Sequence, residues 1–383
     1  MKRNLRLNGA LAAAGLCLMT AGAIAQQSGP IKIAATLPLS GGAANFGQAA
    51  RNGADMALAE VNGAGGVLSR QVMMDVQDNR CNPTEAVKVV TQMLSDGGYS
   101  ALFDGLCSSV VLASMPVVDR AQIPYMVATA SATAISEKSG VGGSKWTFKF
   151  NPTDASMAAA MVSWLTEKGL ADKIAFLGED TDFGRSGGDG FKAALKARGK
   201  ALLSEDYYQQ GTADFSATLT KYRTSRPGVV GIYALASDQQ NIVNQMQAFG
   251  VKVPLSGRVQ TDSIAKELLE SGFLDGTSAV QPYSPEIDTP KNQAFVAAFK
   301  AKYGSAPNSI SYSAYESMRT LLDAIQRAGS TEPEKIRTAL TQAKFPTLLG
   351  GEVSFDEYNL AHTFAVIFQI EGGKAKVVGL SKT

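Results

Sequence analysis

The sequence predicts an α/β protein made of two units, each a parallel sheet covered by helices. From Ile31 onward, short apolar strands alternate with amphipathic helices, and the same pattern begins again near Asn151-Pro152. No low-complexity linker separates the two halves. This alternation is typical of parallel sheets buried on both faces. We therefore expect two lobes with a cleft between them, and a ligand beyond the carboxyl ends of the strands.

The first unit alternates four predicted strands with three predicted helices. The apolar run Ile31–Leu37 predicts a strand, and a helix of about Phe46–Val61 is stopped by Asn62-Gly63. A proline at the first helical position predicts the start of the next helix at Pro83. The remaining predicted elements are strand Val72–Val76, strand Ala101–Phe103, helix Val110–Val118 and strand Pro124–Ala128.

The second unit repeats the alternation, and the last hundred residues depart from it. Predicted strands are Lys173–Leu177, Ala201–Tyr207 and Val229–Tyr233, with a helix at Phe183–Arg198 and another carrying Ile242, Val243, Met246 and Phe249. Three helices then follow, about Pro290–Tyr303, Ser311–Ala328 and Glu332–Ala343. Short strands are predicted at Glu352–Phe355, Phe364–Ile370 and Lys376–Val378.

The N-terminal segment, residues 1–25, has the pattern of a secretory signal. Basic residues at positions 2, 3 and 6 precede the Ala-rich apolar run Leu11–Ile24, and a small-residue cleavage site ends at Ala25. The run is too short for a transmembrane helix. A lipoprotein anchor at Cys17 is the alternative, which the bulky residue before that cysteine disfavours. We therefore expect export to the periplasm and a mature chain that begins near Gln26.

The composition is that of an ordinary globular protein. Hydrophobic residues make up 45% and charged residues 18% of the 383 residues. The formal net charge is +2, but three basic residues lie in the signal segment, and their removal leaves −1. The charge balance therefore gives no indication of a nucleic-acid partner.

Two of the three cysteines, Cys81 and Cys107, remain after signal cleavage. An even number of cysteines in an exported chain predicts one disulfide, with two buried free thiols as the alternative. Neither cysteine has a second Cys or His at metal-ligand spacing, so no zinc site is expected.

Short motifs spaced along the mature chain are specific in combination, although each alone is weak. They are Ile31-Lys32-Ile33, Leu39-Ser40-Gly41-Gly42, Phe46-Gly47, Asn52-Gly53, Ala57, Glu60-Val61-Asn62, Gly65-Gly66-Val67, Cys81-Asn82-Pro83, Ala86, Leu106-Cys107-Ser108-Ser109 and Ile123-Pro124. In these motifs the chain, from about Ile31 to its end, resembles the periplasmic leucine/isoleucine/valine-binding proteins of type I ABC importers.

This resemblance implies a type I periplasmic-binding-protein (venus flytrap) fold, in which three crossover strands join two Rossmann-like lobes. Lobe one would comprise 28–150 plus 282–348, and lobe two 151–281 plus 349–383. The resemblance also implies that Cys81 pairs with Cys107. It implies a monomer without cofactor or enzymatic activity that delivers a small organic ligand to inner-membrane permease and ATPase subunits. A branched-chain amino acid or related carboxylate would be such a ligand.

The resemblance assigns a ligand carboxylate to the predicted helix start at Ser108 and Ser109. Unpaired amides and the helix dipole favour an anion there, although Ser108 could instead be only a helix N-cap. Thr129 and Ser131 align with two ligand-contact positions, of which one contributes a backbone carbonyl and the other a hydroxyl. Capping of a turn is the alternative role for these two residues.

Phe46 and Phe183 align with aromatic residues that cover the ligand from the two lobes. Such a cover excludes water and strengthens the polar contacts inside the cleft, although either residue could belong to the core. Leu235 aligns with another aromatic position. The smaller Leu235 would leave room for a bulkier ligand.

One departure from the resemblance concerns the acidic residue that pairs with a ligand ammonium. Val259 occupies the aligned position, or Gln260 if the register shifts by one. A buried ammonium without a paired charge is costly. Either another acid substitutes, with Asp182, Asp238 and Asp262 as the possibilities, or the ligand has no ammonium.

Arg185 and Arg258 favour the second alternative, an aromatic or aliphatic carboxylate without an α-ammonium. Both arginines lie in segments that the resemblance places near the cleft. Surface solvation is the alternative interpretation of each.

An enzymatic alternative rests on Gly184-Arg185-Ser186-Gly187-Gly188, which fits the G-x-S-x-G pattern of serine hydrolases. Ser186 would be the nucleophile and His362, the only histidine, the base. The preceding strand is predicted to end near Gly178, too early for the sharp strand-to-helix turn of that motif. No G-x-G-x-x-G follows the first strand, which disfavours a dinucleotide enzyme. A ligand-sensing receptor would share the fold, and the free-standing exported chain favours transport over it.

Overall fold

The computed structural model describes residues 29–382, without the side chain of the last of them. The predicted signal segment 1–25, its cleavage at Ala25 and the alternative anchor at Cys17 lie outside this range. Within it, no helix combines the length and the apolar character that a bilayer crossing requires.

The strands and helices alternate along most of the chain. The strands are β1 (Ile31–Leu37), β2 (Val72–Asp78), β3 (Tyr99–Phe103), β4 (Tyr125–Val127), β5 (Thr147–Lys149), β6 (Ile174–Glu179), β7 (Ser204–Tyr208), β8 (Val229–Tyr233), β9 (Leu255–Gly257), β10 (Ser278–Gln281), β11 (Phe345–Pro346), β12 (Glu352–Val353), β13 (Phe364–Glu371) and β14 (Lys374–Lys382). The helices are α1 (Ala44–Gly63), α2 (Pro83–Asp96), α3 (Ser108–Ala121), α4 (Thr133–Glu137), α5 (Asp154–Glu167), α6 (Asp182–Lys196), α7 (Ser216–Ser225), α8 (Ala236–Ala248), α9 (Lys266–Glu270), α10 (Pro290–Tyr303), α11 (Ser309–Ala328) and α12 (Pro333–Gln342).

Two parallel sheets form the centres of two lobes. The first has the order β2-β1-β3-β4-β5 and the second the order β7-β6-β8-β9. In each sheet, successive strands are added first on one side of the first strand and then on the other. The strand order therefore reverses next to β1 in one sheet and next to β6 in the other. The carboxyl ends of β1 and β3, and those of β6 and β8, therefore flank crevices of the kind where α/β sheets bind ligands.

An antiparallel sheet, β10-β13-β14, extends the second lobe. The Ser256 hydroxyl on β9 lies 2.9 Å from the Ser278 hydroxyl on β10, and the Leu255 amide donates to the Thr277 hydroxyl at 3.1 Å. These bonds join the C-terminal strands to the sheet of the second lobe. The chain thus returns to this lobe after α10, α11 and α12.

Core packing supports the proposed lobe division with one revision. Phe150 and Tyr283 are buried in the first core, as the proposed crossovers at 150/151 and 281/282 require. Phe355 and Ala361 are also buried there, and Phe355 packs edge-on against Phe148 with ring centroids 5.2 Å apart. Ala365 lies in the second lobe's core. We therefore move the proposed third crossover from 348/349 to between 361 and 365.

The structure departs from the sequence prediction most at α5, a segment to which the sequence analysis gave no element. Met157, Met161 and Leu165 are fully buried, and α5 packs against both α6 and β10. A helix covered on more than one side lacks the single apolar face by which amphipathic helices are found. Helix α3 also begins at Ser108, two residues before its predicted start, and this shift matters for the site described next.

Candidate functional site

A cavity lies between the lobes at the carboxyl ends of their strands. Its empty space is about 570 Å³, part of which is open to solvent. The first lobe contributes Phe46, Cys81, Leu106, Cys107, Ser108, Ser109, Thr129, Ala130, Ser131 and Ile310. The second contributes Glu179, Thr181, Phe183, Gln210, Ala234, Leu235, Arg258 and Gln260. Eight of the nine predicted ligand residues therefore surround one space, and Val259 is the exception.

The N-terminus of α3 forms one wall of this cavity. The disulfide between Cys81 and Cys107 confirms the pairing that the resemblance implied, and it ties this helix to the loop before α2. Val111 is the first residue of α3 whose amide donates to a preceding carbonyl, that of Cys107, at 3.1 Å. The first-turn amides of Ser108 and Ser109 precede that bond and remain available to an anion.

Ser108 does not cap its own helix, so the N-cap alternative is wrong. The N-cap residue is Cys107, which makes no side-chain capping bond. The Ser108 hydroxyl instead accepts from the Ala132 amide at 3.2 Å. Ser108 therefore fixes the loop that carries Thr129 and Ser131 against the helix start.

Asp104, which sequence reasoning missed, organises the same wall. It follows β3 with a φ of 54° and is fully buried. Its carboxylate accepts from the Thr129 hydroxyl at 2.8 Å, the Thr129 amide at 3.2 Å and the Leu106 amide at 3.2 Å. Burial raises the pKa of Asp104 to about 6, although these hydrogen bonds act to lower it. Asp104 thus positions Thr129. Because the Thr129 hydroxyl donates to Asp104, it does not donate to a ligand.

The backbone of the Thr129–Ser131 loop is tied to the first crossover. The Thr129 carbonyl accepts from the Asn151 side-chain amide at 2.7 Å, and the Ser131 carbonyl accepts from the Asp154 amide at 2.8 Å. Each carbonyl keeps a second lone pair for a ligand. The predicted division into one carbonyl and one hydroxyl contact stays a prediction; it would use the Thr129 carbonyl and the Ser131 hydroxyl, which also interacts with the Asp154 carboxylate.

Aromatic and aliphatic side chains cover the cavity from both lobes. Phe46 on α1 is buried in the first core, and Leu235, which precedes α8 in the second lobe, belongs to the same buried cluster. Phe183 is half-buried on α6 and packs on Tyr233 with ring centroids 5.0 Å apart. The two lobes are therefore in contact around the cavity, which excludes much of the water.

The segment after β9 shows why Val259 is the exception. Val259 is buried in the second lobe's core, and its carbonyl accepts from the Gln281 side chain at 3.0 Å. Side chains alternate in direction along an extended chain, so the neighbours Arg258 and Gln260 face the cavity. With the register shifted by one, the aligned residue is Gln260, which lines the cavity.

Arg258 is a buried cation with few partners. Its side chain lies beside the cavity, with Nη1 3.9 Å from an Asp154 carboxylate oxygen and 3.0 Å from the Met157 sulfur. Its Nε has no hydrogen-bond partner within residues 29–382. Burial raises the pKa of Asp154, against the charge of Arg258. The surface interpretation of Arg258 is therefore wrong.

Glu179, the second functional residue that sequence reasoning missed, ends β6 inside the cavity. One carboxylate oxygen, Oε1, accepts from the Thr181 hydroxyl at 2.7 Å and from Gln210 at 3.3 Å. The other, Oε2, is buried and has no hydrogen-bond partner in the described part of the chain. Burial raises the pKa of Glu179 to about 7. The sequence signal that could have identified Glu179 is an acidic residue at the end of an apolar strand.

The three acids considered as substitutes are not among the described residues that line the cavity. Asp238 accepts from the Gly211 amide at 3.1 Å. Asp262 accepts from Asn308 at 2.6 Å, beside a separate groove. Asp182 lies in the first turn of α6. Among the described residues, Glu179 is the acid that lines the cavity.

Arg185 also lies outside the cavity. Its guanidinium binds Asp180 at 2.8 Å and stacks 3.6 Å above the Tyr207 ring. Half of its side chain is exposed. The surface interpretation is correct for this arginine.

Ser186 does not have the geometry of a hydrolase nucleophile. It lies in the second turn of α6, which begins at Asp182, and not on a strand-to-helix turn. Its hydroxyl accepts from the Thr133 amide at 3.0 Å, across the interface between the lobes. His362, the proposed base, lies 3.1 Å from Asp356 on the surface. Ser186 therefore joins the lobes in this arrangement.

No cluster of potential metal ligands occurs among the residues that the structure describes. The polar groups of the cavity are suited to an organic ligand: amides and hydroxyls from one lobe, and a carboxylate and a guanidinium from the other.

Sequence comparison places this geometry among known proteins. Residues 30–375 match a family model described as periplasmic binding protein. The chain is 28% identical over 351 residues to Leu/Ile/Val-binding protein homolog 8 of Brucella abortus (strain 2308), covering 86% of this chain and 85% of that protein. It is 26% identical over 352 residues to the leucine-, isoleucine-, valine-, threonine-, and alanine-binding protein of Pseudomonas aeruginosa, covering 92% and 91%.

Solved structures share the architecture. The leucine-binding protein LivK of Thermotoga maritima superposes with a TM-score of 0.81 at 24% identity, covering 91% of this chain and 98% of that one. A solute-binding protein of an ABC transporter from R. palustris, solved with benzoate, has a TM-score of 0.82 at 20% identity, covering 92% and 96%. The expected type I periplasmic-binding-protein fold is thereby confirmed. Together with the family model, which spans most of the sequence, these likenesses show that the chain belongs to the periplasmic binding protein family.

Proposed function

We propose that this protein is the extracytoplasmic solute-binding component of an ABC importer and that it captures an α-amino acid between its lobes without chemical change. One observation carries the proposal. The first-turn amides of α3 and Oε2 of Glu179, all without hydrogen-bond partners among residues 29–382, belong to opposite lobes and border the same cavity. An α-amino acid has one group for each of them.

The α-carboxylate would bind at the start of α3. The first-turn amides of Ser108 and Ser109 have unused donors, and the helix dipole adds a favourable potential there. The disulfide at Cys107 and the bond from Ala132 to Ser108 hold these donors in place before a ligand arrives. A preorganised anion site loses little entropy when it is filled.

The α-ammonium would bind Glu179. A buried carboxyl with one free oxygen is costly when ionised and alone, which is why its pKa is raised. An ammonium beside it restores the ionised form and supplies the missing hydrogen bond. Closure of the lobes brings Glu179 to a ligand already held by the first lobe, so binding favours the closed state.

The remaining walls, which include Phe46, Phe183, Leu235 and Ile310, suit an aliphatic or mixed side chain. The relatives named as leucine-, isoleucine- and valine-binding support an amino acid ligand. The structural neighbour solved with benzoate supports the second possibility, a carboxylate without an ammonium. In that case Glu179 would stay protonated and donate a hydrogen bond.

Calorimetry with matched ligands tests the proposal. L-Leucine should bind, and 4-methyl-2-oxopentanoate, which has the same carbon skeleton but no ammonium, should bind at least about tenfold more weakly. Glu179→Gln should remove this preference, whereas Glu205→Gln, which alters a carboxylate paired with Lys192 outside the cavity, should preserve it. Tighter binding of the keto acid or of benzoate than of every amino acid tried would favour the second possibility.

The cellular role follows from the family. We propose that the mature protein is periplasmic, monomeric and not an enzyme, and that its closed form docks on the permease and ATPase subunits. Ligand-dependent stimulation of ATP hydrolysis by the reconstituted transporter would support this role. Turnover of the ligand by the purified protein would contradict it.

A further inference from the structure

The guanidinium of Arg258 has more hydrogen-bond donors than partners. An arginine carries five N–H donors. Nη1 of Arg258 donates to the Met157 sulfur at 3.0 Å, and its ion pair with Asp154 is long, at 3.9 Å. Only 6% of Arg258 is exposed, and its Nε is unpartnered among residues 29–382. Water therefore does not compensate for the missing acceptors, and a group inside the cavity could.

Lys149 and Asp154 are the charged groups packed around Arg258 in the described part of the chain. Lys149 is fully buried, and its side chain donates to the carbonyls of Asn151 and Pro152 at 2.7 and 2.9 Å. Burial lowers the pKa of Lys149 to about 7, so this lysine is only partly charged at neutral pH. A buried arginine whose acid partner is as far away as 3.9 Å favours an anion in the adjoining cavity.

Sheet topology places Arg258 and Glu179 on the same side of the cavity. Glu179 ends β6, Arg258 directly follows β9, and β8 lies between these two strands. Both side chains line the one cavity, so a single ligand can contact both of them. A ligand that bridges the two sites would have its α-ammonium at Glu179 and a second acceptor at the far end.

We propose that the cavity selects an acidic α-amino acid, whose side-chain carboxylate binds Arg258. This inference rests on the proposed function, since it assumes the α-carboxylate at α3 and the α-ammonium at Glu179. It goes beyond that function by assigning the side chain of the ligand. The aromatic ring of Phe183, 5.8 Å from the centre of the guanidinium, would cover the methylene groups between the two ends.

Calorimetry of the full mature protein with L-glutamate, L-glutamine and L-leucine tests the inference. Glutamate should bind at least about tenfold more tightly than leucine, with glutamine between them. Arg258→Met should weaken glutamate binding by tenfold to about hundredfold and leave leucine binding within about threefold. Arg258→Lys keeps the charge without the planar pair of donors and should retain part of the preference.

A matched control and the opposite outcomes complete the test. Arg185→Met removes a surface arginine paired with Asp180 and should leave all three affinities unchanged. Because Arg258→Met leaves Asp154 without its partner, retained leucine binding also shows that the variant is folded. If leucine binds as tightly as glutamate in a Glu179-dependent manner, the inference is wrong and the proposed function stands. If no amino acid binds, or Glu179→Gln has no effect, the proposed function fails.

Discussion

The pH dependence of ligand affinity is the most direct consequence of a buried Glu179. With the lobes in contact, as they are here, burial raises the pKa of this carboxyl to about 7, so the group holds a proton at lower pH. An ammonium ligand requires the ionised form. Binding below pH 7 must therefore release one proton, and binding above pH 7 releases none.

The magnitude follows from linkage. Each pH unit below 7 should weaken binding about tenfold, or about 1.4 kcal/mol. Between pH 8 and pH 5, the dissociation constant of leucine should rise by about a hundredfold. Leucine is the ligand of choice for this measurement, because neither of its own groups titrates in this range.

Calorimetry in buffers of different ionisation enthalpy measures both the affinity and the number of protons released. We expect close to one proton released at pH 5.5 and almost none at pH 8. Glu179→Gln should bind more weakly at pH 8 and lose the pH dependence. A dissociation constant that is flat from pH 5 to pH 8 in the unmodified protein, with no proton release, would refute the assignment of the ammonium to Glu179.

Three further predictions concern stability and the anion site. The free energy of unfolding of the ligand-free protein should fall as pH rises from 4.5 through 7, and Glu179 should account for up to roughly 3 kcal/mol of this fall. The reason is that the carboxyl of Glu179 ionises at lower pH in the unfolded chain than in the folded protein. Urea titrations of Glu179→Gln should lack this component. Replacing both Cys81 and Cys107 by serine removes a disulfide that joins residues 26 positions apart. The free energy of unfolding should fall by about 3 kcal/mol in the same assay, and ligand binding should weaken. Asp104→Ala leaves three donors unpaired, so we expect a loss of about 2 kcal/mol or more and a raised dissociation constant in calorimetry.

The sequence was sufficient for the fold and for most of the cavity wall. Periodicity found the alternation of strands and helices, and the boundaries of α10 are those predicted. Eight of the nine residues assigned as ligand contacts lie around one cavity, because the carboxyl ends of parallel strands meet at one edge. Ligand contact by these residues stays a prediction, which the binding experiments above address.

Buried charges were the part that the sequence reading missed. Asp104 follows β3 directly, and Glu179 and Lys149 are the last residues of β6 and β5. A charged residue beside an apolar strand reads as the start of a solvated loop when only the pattern is considered. At a topological switch point, however, the strand ends face an enclosed crevice. Whether such a charge meets water or a closed cavity depends on the opposite lobe, which local sequence does not specify.

The first crossover shows how ligand contacts and lobe movement can share the same residues. The Asn151 side chain donates to the Thr129 carbonyl and accepts from the Ser313 hydroxyl at 3.1 Å, while Lys149 holds the carbonyls of Asn151 and Pro152. Opening the cleft by rotation within this segment would break buried polar contacts, each of which is costly to leave unmade. The bond from the Asp154 amide to the Ser131 carbonyl extends these contacts to the first turn of α5, so we expect this whole segment to move with the first lobe. We therefore expect the wall formed by the start of α3 and the Thr129–Ser131 loop to stay rigid while the lobe that carries Glu179 and Arg258 moves relative to it.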